Sequence, residues 1–400
     1  MAVDELLEPA KVQGVRHLKQ VFRLLERLAP IGCERDRAGN RQLLFSQYAG
    51  LILLGLFNPT LQSVEGLKEL SALRKVQKLL GGRRVSAGSF SEAVRVFDPE
   101  ALRLIFEELL ESLPQPAKTG SGGHIPDELL QRLTVVDGTV LKVLPRLVSA
   151  AALSNKDHWR MHLEFEVCRG IPEQMTLTPN DAGGEADERS VLGRQLRSGR
   201  TYLLDGGYER YSLLEAIVRE KSDYLCRVQQ RPMQALEERA VSKAAREAGV
   251  VRDELVQPGQ SSSAVGAITH AVRRITLAAS GPNRPRTDRP VREEVTLLTN
   301  FVDVPAEVLS AVYRMRWSIE LFFRFLKHVL GCRSLVSEKP QGIAIQMYCA
   351  LIAALLLSQL TERSLGKQGL RLVSLSLSGW AEEDELLAGL SRLTGKKTNR

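Results

Sequence analysis

The chain has 400 residues, 44% of them hydrophobic and 26% charged, with a formal charge of +8 and a pI near 9.3. That much apolar material buries a large core, which excludes a disordered chain and points to two or three folded domains. The basic balance favours a polyanionic partner over an acidic surface. Cys33, Cys168, Cys226, Cys332 and Cys349 lie far apart with no CxxC pair, which excludes a disulfide framework and a zinc knuckle. The start, MAVDELLEPAKVQ, has no apolar stretch of a secretory leader. The two greasiest runs, 43–57 and 343–357, are too short for a membrane span. No membrane partner is expected, and the chain is expected to work in the cytoplasm.

Residues 1–125 read as an all-helical N-terminal domain. Helical spacing of apolar residues runs through 12–28, 42–57, 63–80, 89–97 and 99–113, with Asn58-Pro59 and Gly81-Gly82 as stops. Arg83 and Arg84 lead into VSAGSFSEAVR, so a helix-turn-helix and a plain bundle both fit. A Gly-, Pro- and Ser-rich linker, PQPAKTGSGGHIP, follows.

From residue 126 to 229 the period becomes strand-like. Runs at 133–143, 161–167 and 175–178 are β-rich, then a helix near 185–196 leads to strands at 201–204 and 224–229 with a helix at 211–220 between them. Three strands followed by alternating helix and strand make an α+β or α/β layer. Residues 230–292 break the rhythm with QPGQSSS and GPNRPRTDRP, and read as an inserted β-rich subdomain with strand pieces at 273–278 and, rejoining the sheet, 294–298. Its arginines (Arg273, Arg274, Arg284, Arg286, Arg289, Arg292) could line DNA or stand in a solvated loop. Residues 293–365 complete the core with a helix over 307–330 and a greasy helix over 343–360, and 366–400 are a tail.

Chemistry concentrates in three places. Asp137 interrupts an apolar strand in VVDGTV, where a buried strand prefers Val or Ile, although an Asp-Gly turn also fits. Asp205 ends the apolar run TYLL and precedes Gly206-Gly207; strand ends are where such sheets present working residues, although a turn aspartate is the commoner occupant there. Asp181, in an acid-rich loop with no strand before it, is the weaker candidate for the second acid. On the helix of 307–330, Tyr313, Arg316, Glu320, Arg324 and Lys327 fall in an arc of roughly 80° at 100° per residue. Most other positions of that helix are apolar, including Trp317, which is expected in the core rather than stacked on a base. Charge on a buried helix is costly unless paired or bound to an ion or ligand, so one carboxylate among three cations and a phenol suits phosphate oxygens and a metal. A surface stripe of (i, i+4) ion pairs is the alternative. His158 and His162, four apart, would suit zinc only on a helix, and their segment reads as a strand. His162 could approach Asp137 from the neighbouring strand.

Tyr313, Arg316, Glu320 and Lys327 match Tyr-x2-Arg-x3-Glu-x6-Lys without a gap, and in this the chain resembles the DDE transposases of bacterial insertion sequences, in the subgroup called the insertion-sequence-four family. VVDGT at Asp137 resembles that family's first acidic motif, LLDGGY at Asp205 its second, and KDHWRMHLEFEVCRGIPEQMTLTP its intervening strand pair; the resemblance spans roughly 130–360. It implies an RNase H-like core, a mixed sheet flanked by helices, with an inserted β subdomain. It implies catalytic and metal-holding roles for Asp137, Asp205 and Glu320 with two Mg2+ ions (Mn2+ able to substitute), and phosphate contacts from Tyr313, Arg316, Arg324 and Lys327. Its implied partners are double-stranded DNA, at terminal inverted repeats and at the target, and a second copy of the chain in the DNA complex, placing the protein at the nucleoid. Cut-and-paste transposition is the expected activity. An RNase H-like endonuclease or resolvase that cuts without joining, and a non-catalytic DNA-binding relative, are the alternatives.

Overall fold

The computed structural model describes residues 24–31, 42–56, 61, 63–113, 125–142, 158–180, 184–229, 233–258, 268–278, 294–332, 335–361, 368–369, 371–372, 375 and 381–394. Among them one mixed sheet of nine strands runs in the order β3-β2-β1-β4-β5-β9-β8-β7-β6. β1 (Leu133–Lys142), β2 (His158–Glu166) and β3 (Ile171–Pro179) form an antiparallel meander. Parallel strands β4 (Thr201–Leu204) and β5 (Asp223–Val228) follow on the other side of β1. β9 (Glu294–Thr299) pairs antiparallel to β5.

Alternation along each strand sends side chains to opposite faces, and here both faces are covered. On one, Leu133, Val135, Leu163, Phe165, Leu203 and Leu297 share a buried cluster with the C-terminal helices and the helices of the N-terminal third. On the other, Val136, Tyr202, Leu204, Tyr224 and Leu298 pack with Leu192 and Leu213 of the two helices that connect β3 to β4 and β4 to β5. The register between parallel neighbours sets Val135 beside Leu203. Two residues further along lie Asp137, still in β1, and Asp205, just past the end of β4, so the strand register brings the two acids level.

The described residues of the N-terminal third carry helices α1 (Phe45–Leu56), α2 (Val64–Ala72), α3 (Arg74–Leu80), α4 (Ala87–Ala93) and α5 (Glu100–Ser112), followed by α6 (Asp127–Arg132) just before β1. The single helix anticipated over 63–80 is two, because Leu73 takes extended backbone (φ −73°, ψ 127°) between them. Ser63 and Ser86 cap their helices by accepting from the backbone N–H three residues on, and Gly81 closes α3 at φ 63°, a left-handed conformation that glycine alone takes without cost. Gln47, the polar interruption of a greasy helix, donates to the Gly81 carbonyl at 3.1 Å and accepts from Leu44 N–H at 3.1 Å. Gln346 does the same duty in the long α12 (Pro340–Thr361), accepting from Val336 N–H at 2.9 Å. Both glutamines satisfy loop backbone that apolar neighbours would leave orphaned. α12 joins the N-terminal helices to the core, with Tyr348 near Phe106 (6.2 Å between ring centroids) and Cys349 buried against α1.

Three details add to the sequence reading or differ from it. The strands of 230–292 do not form a sheet of their own among the described residues: β6 (Gln234–Glu238), β7 (Val250–Gln257) and β8 (Val272–Ala278) extend the central sheet through β8–β9 pairing over six residues. β6 escaped the periodicity because it is wholly exposed, β7 because it buries the acids Asp253 and Glu254 in mid-strand, and the helix α9 (Lys243–Glu247) because it is only five residues long. Arg273 is buried and grips Asp253 with two 2.7 Å bonds while also donating to the Val304 carbonyl at 2.5 Å; Arg274 pairs with the buried Glu254 at 2.7 Å. Neither is free for DNA; Arg284, Arg286, Arg289 and Arg292 lie outside the described residues, as does Asp181. Asp253→Ala leaves that arginine charge buried and unpaired, so a loss of roughly 3–5 kcal/mol is expected in chemical denaturation; a change under 1 kcal/mol (about one surface pair's worth) would remove the pair as an anchor. Finally, the tail contributes a helix, α13 (Glu383–Thr394), while 395–400 lie outside the described residues.

Candidate active site

The helix anticipated over 307–330 is two helices in nearly continuous course, α10 (Ala306–Arg314) and α11 (Trp317–His328). Between them Met315 and Arg316 keep right-handed backbone, but the hydrogen bonds tighten to the three-residue kind: Met315 to Val312, Arg316 to Tyr313 and Ser318 to Met315. The tightening does not scatter the polar stripe. Tyr313 Oη stands 3.5 Å from the Leu204 carbonyl, at the end of β4. Arg316 reaches Asp137 Oδ2 at 3.6 Å and donates to Glu320 Oε1 at 2.8 Å. Lys327 donates to Thr139 Oγ1, two residues beyond Asp137 on the same face of β1. Arg324 is the exception: exposed, it lies over the Trp317 ring at 5.4 Å rather than against the acids. Trp317 is itself 43% exposed, not in the core, because it opens α11 on the side away from Ile319, Phe322 and Phe323.

Asp137 is half-buried and its Oδ1 accepts from Gly138 N–H at 2.8 Å. Burial first, and the neighbouring charge of Asp205 second, push its carboxyl up to about 6. Arg316 and the Gly138 N–H work against that rise without overcoming it. Asp205 follows β4 in extended backbone and caps a short 3-10 turn (Gly206–Tyr208) through Gly207 N–H at 2.8 Å. Burial pushes the Tyr313 phenol well up, so it acts as a hydrogen-bonding group and not as an anion.

Two acids are thus adjacent and under-neutralised, and the third, Glu320, sits across one guanidinium from Asp137. As they stand, no three His, Cys, Asp or Glu side chains among the described residues are close enough together to hold one metal ion. The donor set nevertheless fits a hard divalent cation: oxygen only, two carboxylates whose mutual repulsion raises the Asp137 carboxyl, and an arginine charge lying where a cation is electrostatically favoured.

Sequence reasoning missed four neighbours: Glu188 and its partner Arg160, Thr139 beneath Lys327, and Tyr208. Glu188 opens α7 (Glu188–Gln195) and pairs with Arg160 of β2. A 240 Å³ cavity is lined by both, together with Asn180, Asp187, Arg189 and Gly207. The available signal for Glu188 was Gly138, the glycine that follows Asp137. His162 pairs across from Gly138 but bonds Thr178 on β3 at 2.8 Å, and burial lowers its ring to about 4, so it is neutral and structural in this arrangement.

A transposase y4zB of Sinorhizobium fredii is 27% identical over 203 residues, 50% of this chain and 52% of that protein. A transposase for insertion sequence element IS5377 of Geobacillus stearothermophilus is 30% identical over 71 residues (18% of this chain, 19% of that one). One for element IS4SA of Synechocystis sp. is 39% identical over 57 residues, 14% of this chain and 17% of its own. The chain therefore spans about half the length, or less, of these relatives. A solved cryo-EM structure, the piggyBac transposase synaptic complex with hairpin DNA, aligns over 97% of this chain and 84% of that one with a TM-score of 0.45 and 10% identity. The family model for the transposase DDE domain matches residues 128–356, from α6 through the sheet and into α12 and so across both aspartates and the Tyr-Arg-Glu-Lys stripe, and the chain belongs to that family.

Proposed function

We propose that the protein is a DNA transposase of the insertion-sequence-four type: a metal-dependent endonuclease that frees a 3′-hydroxyl at each transposon end and joins it to target DNA. The observation that carries this reading is the convergence of Asp137 in the middle of β1, Asp205 just past the end of β4 and, one arginine away, Glu320 in the first turn of α11. The antiparallel meander followed by parallel β4 and β5 supports an RNase H-like core.

Asp137, Asp205 and Glu320 would hold Mg2+ ions, two in this reading, with Mn2+ able to substitute; when bound they supply Lewis acidity, acidifying the attacking water or hydroxyl and neutralising the phosphate. The chain's own residues do the rest. Arg316 neutralises Asp137 and Glu320 in the metal-free protein, and its planar fork suits the two free oxygens of a phosphodiester once those acids have another counter-ion. Lys327, steadied by Thr139, supplies a point charge farther along β1. Tyr313 offers a neutral hydroxyl beside Asp205, donating to a phosphate oxygen. Arg324, outside this group, would meet the strand farther out. Two copies of the chain would hold the two transposon ends.

A labelled duplex from the DNA flanking the gene, with a pre-cut 3′-hydroxyl end, tests the reading. Joined donor–target product in Mg2+ is expected; cleavage of intact ends with no joining would favour a nuclease instead. Arg316→Ala and Lys327→Ala should each lower the slope of log K against log salt by about one, as loss of a single phosphate contact does. Unchanged slopes in both would remove these side chains from the DNA contact.

A further inference from the structure

A fourth carboxylate borders the acids. A Cβ added at Gly138 would stand 2.6 Å from Glu188 Oε1, and one at Gly207 would stand 3.5 Å from Glu188 Oε2 and 3.0 Å from Asp205 Oδ1. Neither glycine is in the left-handed region, so what they provide is room. Glycine weakens a strand interior and commonly marks a close approach of another group. Gly138 thus leaves space beside Asp137 that Glu188 fills, whereas at Gly207 an added Cβ would meet Glu188 only at ordinary contact distance. A second observation points the same way. The Tyr208 hydroxyl is fully buried, has no hydrogen-bond partner, and lines a small cavity with Glu188, Val136 and His162. Most buried polar groups find a partner, so an orphan hydroxyl facing a carboxylate calls for an explanation. An ion pair with Arg160 alone would explain one oxygen of Glu188, since Arg160 holds Oε1 and also turns toward Asn180. It does not explain the glycine that admits this carboxylate beside Asp137.

We propose that Glu188 is a further metal-holding carboxylate of this site, taking a hard divalent cation such as Mg2+, and that Arg160 is its counter-ion when the metal is absent. This rests on the reading of Asp137 and Asp205 as metal ligands. The test is Mn2+ binding to the full-length, DNA-free chain, read from the electron paramagnetic resonance signal of unbound Mn2+. Glu188→Gln should weaken binding by about 10-fold or more. Gly138→Ala, which keeps the carboxylate but takes its room, should weaken it too and carries the test should Glu188→Gln not fold. Arg160→Gln should tighten binding more than Arg189→Gln, which removes the same charge from the next residue along α7. Wild-type affinity in both Glu188→Gln and Gly138→Ala, with binding lost in Asp137→Asn, would overturn the role of Glu188 and leave the aspartates standing. Wild-type affinity in Asp137→Asn would overturn the underlying reading. Equal effects of the two arginine variants would overturn the counter-ion.

Discussion

Asp137→Asn, Asp205→Asn and Glu320→Gln should each cut cleavage of transposon ends by about three orders of magnitude or more, with binding to the same duplex changed little. Members of a catalytic unit are not additive, and removing one typically costs nearly as much as removing all. Each substitution keeps shape and removes one negative charge. Asp137 and Asp205 lose half of an adjacent pair, and Glu320 loses the group that shares Arg316 with Asp137. End binding should survive because phosphate contact depends on cations. Quantitative cleavage on labelled ends beside an electrophoretic binding assay separates the two. Any variant that cleaves at the parental rate removes its residue from the site.

The second large effect concerns the metal-free protein. Asp137 is raised from an ordinary 3.8 to about 6 in the folded chain, by burial and by Asp205. The folded state therefore holds this proton more tightly than the unfolded one. The stability it contributes is complete below 3.8, drains away between 3.8 and about 6, and is gone above. From the two values the loss approaches ~3 kcal/mol. Asp137→Asn, which cannot ionise, should match the parent near pH 4 and exceed its stability by up to that amount at pH 7–8 in chelator. Mg2+ should restore the parent above pH 6 and do little for the variant. Urea denaturation at stepped pH, with and without Mg2+, measures both. Parallel pH curves for the two proteins would show that Asp137 is not held against its charge.

The sheet was legible from alternation and turn residues. β1, β4, β5 and β9 begin and end within a few residues of where apolar runs begin and end, because a half- or fully buried strand must write its burial into every second side chain. β6 was not legible, since an exposed edge strand has no such pattern to show. The acids were legible for the opposite reason: Asp137 breaks a run in which Val is preferred. The turn at Met315–Arg316 left no mark, because both residues keep helical backbone and only the hydrogen-bond span shortens. Trp317 was misplaced by its hydrophobicity, which does not say which side of a helix start it occupies. Arg273 reads in sequence as one of a basic run, yet its partner Asp253 is twenty residues away and only strand pairing unites them. Glu188 drew no notice at the start of an expected helix. Its trace was Gly138 beside Asp137, a clue to space that becomes readable only once the occupant of that space is known.

The most direct measurement is anomalous diffraction from crystals of the protein soaked in Mn2+. The account predicts an anomalous peak contacting carboxylate oxygens of Asp137 and Asp205, with Glu320 released from Arg316 and turned toward the same ion. Manganese bound elsewhere, or Glu320 still paired to Arg316 with a fully occupied ion on the aspartates, would contradict it.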